Sequence, residues 1–288
     1  MSHLPAPESP DFETIAVVGV GLIGGSIALA AKSHGAARIV LGVGRNPGRL
    51  EEAQRRGIID EGTVDLPAAA ARADLLVFCS PVDVIAAGVR EAARACRPGT
   101  LITDAGSVKA CLCGDLAQGL LPQVEFVGAH PLAGSEKQGF EHAEARLFEK
   151  RICVVTPCGT NSRGAVERIS GFWKKLGSRI IEMSPAAHDR ALAETSHLPH
   201  LVAAALAATL SADNRPLAAS GFRDTTRVAS GDAELWTAIF LENREQLLAS
   251  LSRYDALLDR FRQALEQNDT SALKELLKAA KMSRDAIL

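Results

Sequence analysis

The chain has no excess of charge of either sign: 32 lysines and arginines stand against 34 aspartates and glutamates in 288 residues, a formal net charge of −2. A nucleic-acid binder needs a basic stripe or patch, so no nucleic-acid partner is expected. No uninterrupted apolar stretch is long enough to span a bilayer, and residues 1–11 carry prolines and acids where a signal peptide needs a basic and then an apolar run. A cytoplasmic protein without membrane contact follows, with residues 1–12 as a frayed, disordered tail. The six cysteines lack metal-ligand spacing. Their one close pair, Cys111-Leu112-Cys113, matches neither a zinc-ribbon pair nor a redox Cys-x-x-Cys. They read as reduced thiols, mostly buried, and no metal site is expected. Repeats and low-complexity tracts are absent too.

What is there suits a globular protein of about two domains, with 47% hydrophobic residues. Its organising stretch is Gly19-Val20-Gly21-Leu22-Ile23-Gly24, which follows the apolar run Thr14 to Val18 and opens a small-residue helix reaching about Lys32. Strand, glycine turn and helix in that order form the dinucleotide fingerprint, in which backbone N–H groups at a helix N-terminus meet a pyrophosphate. The bland alternative is a packing turn. In the functional reading Gly19 permits the tight turn, Gly21 the approach of phosphate, and Gly24 the contact between helix and sheet.

A second strand over Arg38 to Val43 runs into Gly44-Arg45-Asn46, where a domain that prefers NAD usually places an acid for the adenosine 2′-hydroxyl. Without that carboxylate a 2′-phosphate is not repelled, and Arg45 can add a charge-assisted bond of about 1.5–3 kcal/mol. NADP is therefore the expected cofactor, with NAD possible; as the alternative, Arg45 is a solvated loop cation. Further strands over Asp74 to Cys79, Thr100 to Thr103, Val124 to Ala129, Arg151 to Thr156 and Arg179 to Met183 alternate with helices. That alternation predicts an α/β fold, a Rossmann-type parallel sheet with helices on both faces.

Ligands in such sheets lie beyond the carboxyl ends of the strands, and three polar motifs fall there: Ser80-Pro81, Ser107 with Lys109, and His130 with Glu136. Two readings stand for the middle pair. Ser107 and Lys109 either serve a site or are an ordinary helix cap and a solvated first-turn cation. His130 directly follows a buried strand and is placed to meet a substrate. Ser184-Pro185 marks the domain boundary, giving a dinucleotide domain over 13–184 and a helical domain over 185–288.

In the second half Asp189, Ser196 and His200 recur at helical steps, and Pro199 interrupts their helix, making a site wall flanked by His197 and His200. Gly221-Phe222-Arg223-Asp224-Thr225-Thr226-Arg227 offers a guanidinium fork for a carboxylate, or a loop held by an Arg–Asp pair. From Trp236 to Leu265 an apolar stripe runs along one long helix, too wide for a small globule to cover, so a homodimer through the helical half is expected.

Val-Gly-Val-Gly-Leu-Ile-Gly-Gly-Ser at 18–26, Ser-Pro-Val at 80–82, Gly-Ser-Val-Lys at 106–109, His-Pro-Leu-Ala-Gly-Ser-Glu-Lys-Gln-Gly at 130–139, Ser-His-Leu-Pro-His at 196–200 and the 221–227 segment complete an ordered set. With them the chain resembles the prephenate/arogenate dehydrogenases of tyrosine biosynthesis from about residue 13 to the end. The resemblance implies a nucleotide domain, an all-α dimerisation domain and an active site between them. It also implies the reaction: a hydride leaves the hydroxyl-bearing ring carbon, carbon dioxide leaves the opposite one, and aromatisation drives both. By motif, His130 would take the ring hydroxyl's proton and Ser107 would share that hydroxyl and orient His130. Arg227 would anchor a carboxylate, Glu136, Ser196 and His200 would line the side-chain pocket, and Trp236 would close it. Gly44-Arg45 departs from the acid of NAD-using members. No ACT domain or chorismate mutase is fused, so feedback by tyrosine would act at the active site. Prephenate and arogenate differ by a keto against an ammonium group, and His200 with Glu136 leaves that choice open. A β-hydroxyacid dehydrogenase is a rival, but it would need a lysine on the first long helix of the second half, and residues 186–210 contain none. A non-catalytic NADP-sensing dimer is another.

Overall fold

The computed structural model describes residues 11–117, 120, 124–134 and 137–287. Most of the expected tail lies outside them. Phe12, assigned to that tail, instead opens the first strand and is buried edge-on to Phe172, their ring centroids 6.0 Å apart. Eight strands follow in chain order: β1 (Phe12–Val18), β2 (Ala37–Val43), β3 (Glu61–Thr63), β4 (Leu75–Phe78), β5 (Leu101–Asp104), β6 (Glu125–Pro131), β7 (Ile152–Thr156) and β8 (Arg179–Glu182). They form one sheet in the order β3-β2-β1-β4-β5-β6-β7-β8. The chain reverses direction of travel between β1 and β4, the switch point where such sheets bind dinucleotides.

Six helices complete this half: α1 (Leu22–Ser33), α2 (Pro47–Arg55), α3 (Leu66–Ala70), α4 (Val82–Ala93), α5 (Ala110–Leu116) and α6 (Arg163–Lys175). Strand residues alternate between two cores. Ile15, Val17, Leu75 and Val77 pack on one face with Ile27 of α1 and Trp173 of α6. Ala16, Leu76 and Phe78 pack on the other with Ile85 and Val89 of α4. Burial on both faces explains why these strands read as continuous apolar runs.

The all-parallel expectation fails at one seam, because β6 pairs with β7 antiparallel, His130 standing opposite Val154. A parallel partner needs a crossover that returns the chain to the starting edge. Among the described residues of 132–151 the one regular element is the 3₁₀ turn Phe140–His142, which packs against α1, so the chain re-enters from the carboxyl end.

The second half is helical: α7 (Pro185–Leu192), a π-helical turn Ala193–His197, α8 (Leu198–Ala208), α9 (Ser220–Thr226), α10 (Ala233–Glu242), α11 (Arg244–Glu266) and α12 (Thr270–Asp285). Pro199 does not kink a continuous α-helix as expected. The π turn absorbs the irregularity, Leu198 N–H reaching the Ala193 carbonyl. The extra residue also breaks the stripe of Asp189, Ser196 and His200. Nor is the apolar stretch 236–265 one helix: it breaks at Asn243, whose φ of −110° and ψ of 28° separate α10 from α11. No described helix is long and apolar enough to cross a membrane, and no described group of three or more His, Cys, Asp or Glu could hold a metal. All six cysteines are free; Cys96, Cys113 and Cys153 are buried while Cys111 is exposed.

Candidate active site

One cavity of about 1040 Å³ opens over the carboxyl ends of β1, β4, β5 and β6 and is walled on its far side by α7, the π turn, α8, the 3₁₀ turn Arg227–Ser230 and α10. A smaller hollow of about 250 Å³ near Asp74 and Arg97 touches none of the motif residues. The large one does. Gly21, Leu22, Ile23, Gly24, Ser80, Pro81, Ser107, His130, Ser196, His200, Arg227 and Trp236 all line it. Glu136 lies outside the described residues.

The glycine loop is shaped for an anion. Gly19 has φ +97° and passes so close to β4 that a Cβ would sit 2.9 Å from the Cys79 carbonyl. At Gly24 a Cβ would stand 2.0 Å from the Gly19 carbonyl oxygen, so only glycine lets α1 begin there. Gly21 differs, since a Cβ there would meet nothing within 4 Å. The space above it belongs to the cavity, and α1 has no side-chain cap for its first N–H groups. Such an uncapped, glycine-flanked helix start fits the pyrophosphate of a dinucleotide. Residues 19–24 would hold that group and Ser80-Pro81 would flank it. Arg45 is exposed just past the end of β2, outside the cavity lining.

His130 stands at the end of β6, and its Nδ1 lies 2.9 Å from Nε2 of His188 on α7. The expected partner was Ser107; the residue that holds the ring is His188, which is fully buried. Its own Nδ1 lies 2.7 Å from Asp189 Oδ1. The Asp189 carboxylate in turn accepts the backbone N–H groups of Lys109 (2.9 Å) and Ala110 (2.8 Å), capping α5 from the other domain. Desolvation, then the neighbouring His188, Lys109 and His197, push the His130 pKa well below the ordinary histidine range. At neutral pH the imidazole is uncharged and able to accept a proton.

The far wall is aromatic. His200 stacks on Trp236 with ring centroids 3.5 Å apart, and its Nδ1–H donates to the Ser196 carbonyl at 2.9 Å. Burial lowers the His200 pKa, and Arg227 nearby adds to that. His197 turns away from the cavity. Asn243 Nδ2–H donates to His197 Nδ1 (3.0 Å) and to the Asp189 carbonyl (2.8 Å), and burial pushes His197 down to about 4. Across the cleft mouth Gln138 Nε2–H donates to Asp232 Oδ2 at 3.0 Å, joining the loop after β6 to the cap of α10.

Lys109 is neither a solvated cation nor in the cavity. It is fully buried and ion-paired with the equally buried Asp104. Sequence reading missed His188 and Asn243 altogether. A His-Asp pair in the first turns of an alanine-rich helix just past the domain boundary was the available signal for His188; nothing local marked Asn243.

Residues 27–182 match the family model described as prephenate dehydrogenase, nucleotide-binding domain, and residues 184–279 match its dimerization domain. The chain is 35% identical over 283 residues to a cyclohexadienyl dehydrogenase of Zymomonas mobilis, covering 96% of each. It is 34% identical to a prephenate dehydrogenase of Bacillus subtilis, covering 96% of this chain and 76% of that one. Among solved structures, prephenate dehydrogenase from Aquifex aeolicus in complex with hydroxyphenyl propionate and NAD+ superposes with a TM-score of 0.89 at 32% identity, over 96% of this chain and 98% of the other.

Proposed function

Because the chain belongs to the prephenate dehydrogenase family, we propose that it oxidatively decarboxylates prephenate and arogenate in the cytoplasmic synthesis of tyrosine. The observation that carries this is the convergence of His130, Ser107 and Arg227 with the glycine loop on one cavity. A base, a hydroxyl partner, a carboxylate anchor and a dinucleotide seat are the parts the reaction needs. Nicotinamide, when bound, accepts the hydride released from the ring carbon. His130 takes the proton of the ring hydroxyl as that carbon acquires carbonyl character, and Ser107 shares the hydroxyl. Arg227, on the opposite wall, fixes a carboxylate. Neutral His200, flat against Trp236, tolerates either a keto or an ammonium side chain. A sensing module without turnover would not need a base beside the coenzyme seat.

NADP is the preferred coenzyme in this reading. Arg45 is exposed at the end of β2 and makes no ion pair among the described residues, and no carboxylate stands at positions 44–46 to repel a 2′-phosphate. Formation of reduced nicotinamide, followed by absorbance with each substrate and each coenzyme, tests both statements. Turnover of both substrates with a higher kcat/KM for NADP is expected; no turnover of either sinks the function, and a preference for NAD sinks the role of Arg45.

Arg227→Ala is expected to raise the substrate KM by about 10–100-fold, the loss of a charge-assisted bond of about 1.5–3 kcal/mol, while kcat changes little. Initial rates across substrate concentration decide it; a kcat loss at constant KM would remove Arg227 from carboxylate binding. We also assign the protein a homodimeric state. Leu241, Leu248, Leu258 and Leu265 are exposed along α10 and α11, and only Leu247, Ser250 and Ala264 of the 23-residue α11 are buried. A second copy would cover that face.

A further inference from the structure

We propose that His188 and Asp189 fix the tautomer of His130 and that His188 receives the proton His130 removes; this rests on the reading of His130 as the base. The start is Asp189. Its Oδ1 and Oδ2 accept N–H groups from Lys109 and Ala110 at the head of α5, so the carboxylate is held from the nucleotide domain while its own chain runs in α7. An ionised carboxylate only accepts. His188 Nδ1, 2.7 Å away, therefore carries a proton. With its one ring proton on Nδ1, His188 presents a bare Nε2, so the contact at 2.9 Å requires a proton on His130 Nδ1. One nitrogen of His130 remains, Nε2, and it presents a lone pair to the cavity. The wrong tautomer would put an N–H there and leave no acceptor for a hydroxyl proton.

The same chain of contacts sets where the charge rests. As the substrate O–H bond breaks, its proton bonds to His130 Nε2 and its electron pair becomes the new C=O bond while the hydride leaves carbon. The Nδ1–H bond of His130 then breaks and that proton bonds to His188 Nε2. Both imidazoles conserve their bonds otherwise, and Asp189 stays ionised. The surroundings of His130 disfavour charge on its ring. Burial first, then His188, Lys109 and His197, disfavour a cation on it, Asp104 is already taken by Lys109, and no carboxylate among the described residues touches its ring. An imidazolium on His188 has Asp189 against it.

Nitrogen-15 NMR of protein labelled in its histidine rings, without ligands at neutral pH, reads the tautomer directly. His130 protonated at Nδ1 and bare at Nε2 is expected; a proton on Nε2, or a charged His188, overturns the proposal whatever the activity. Two variants read the proton transfer. His188→Gln keeps a carbonyl that accepts from His130 Nδ1, so the tautomer signal persists while kcat falls; His188→Leu removes the acceptor and lowers kcat further, by about tenfold to hundredfold in all, a share of what a general base supplies. KM stays near the starting value in both. Equal losses in the two variants, or losses in KM, mark a merely structural role and overturn it. Failure of the base reading itself looks different, since His130→Asn would then leave kcat intact.

Discussion

Asparagine at position 130 lowers kcat by about 10²–10⁴-fold, the usual share of a general base, and leaves the substrate KM close to that of the unaltered enzyme. Asn can still offer a polar group to the ring hydroxyl and to His188, so binding is largely kept. It has no lone pair basic enough to take a proton. The pH profile separates this from loss of packing. His130 is held well below the ordinary histidine value by burial and by the charges around it. If His130 is the base proposed above, its deprotonated form is the active one, so kcat/KM should be flat through neutral pH and fall only as pH drops through that depressed value. In His130→Asn this acid limb disappears. An acid limb that stays in place, or an effect confined to KM, removes His130 from the chemistry.

The order of most elements was legible because the central strands are buried on both faces and several helices start at a capping residue, signals that do not depend on distant partners; the short, largely exposed β3 carried no such signal. Asn46, Asp65, Ser162, Ser184 and Asp232 each accept a first-turn N–H as caps. The rim was legible for a related reason. Parallel strands deliver their carboxyl ends to one edge, so Ser80, Ser107 and His130, far apart in sequence, had to meet. What failed depended on long-range pairing. The antiparallel seam at β7 follows from a connection that, among its described residues, holds a 3₁₀ turn and no crossover helix. The break at Asn243 exists because its amide is drawn to His197 and Asp189, some fifty positions earlier. His188 carries no pattern of its own; it acquires a role only when α7 docks against β6.

Lys109 was the residue on which sequence left two readings level, and its burial leads to the largest stability effect expected in the molecule. Lys109→Met should cost about 3–5 kcal/mol of folding stability, because it strands the Asp104 charge inside the protein. A solvated cation at that position would cost within about 0.5 kcal/mol, so denaturant unfolding distinguishes the two without ambiguity. Asp104 is committed on every side: Oδ1 accepts from Ala129 N–H at 3.0 Å and Oδ2 from Gly106 N–H at 2.9 Å as well as from Lys109. Asp104→Asn in the Lys109→Met background removes the stranded charge and keeps an acceptor, so the double variant should recover part of the loss. Recovery of that kind cannot come from a cavity alone. Since Ala129 directly precedes His130 and the Lys109 backbone N–H holds Asp189, the pair also supports His130 from beneath. The side chain of Lys109 does not enter the cavity, however, and its backbone N–H survives the substitution. kcat of the folded Lys109→Met enzyme should therefore fall far less than in His130→Asn. A variant that loses activity as His130→Asn does while unfolding at the original denaturant concentration would place Lys109 in the chemistry instead of under it.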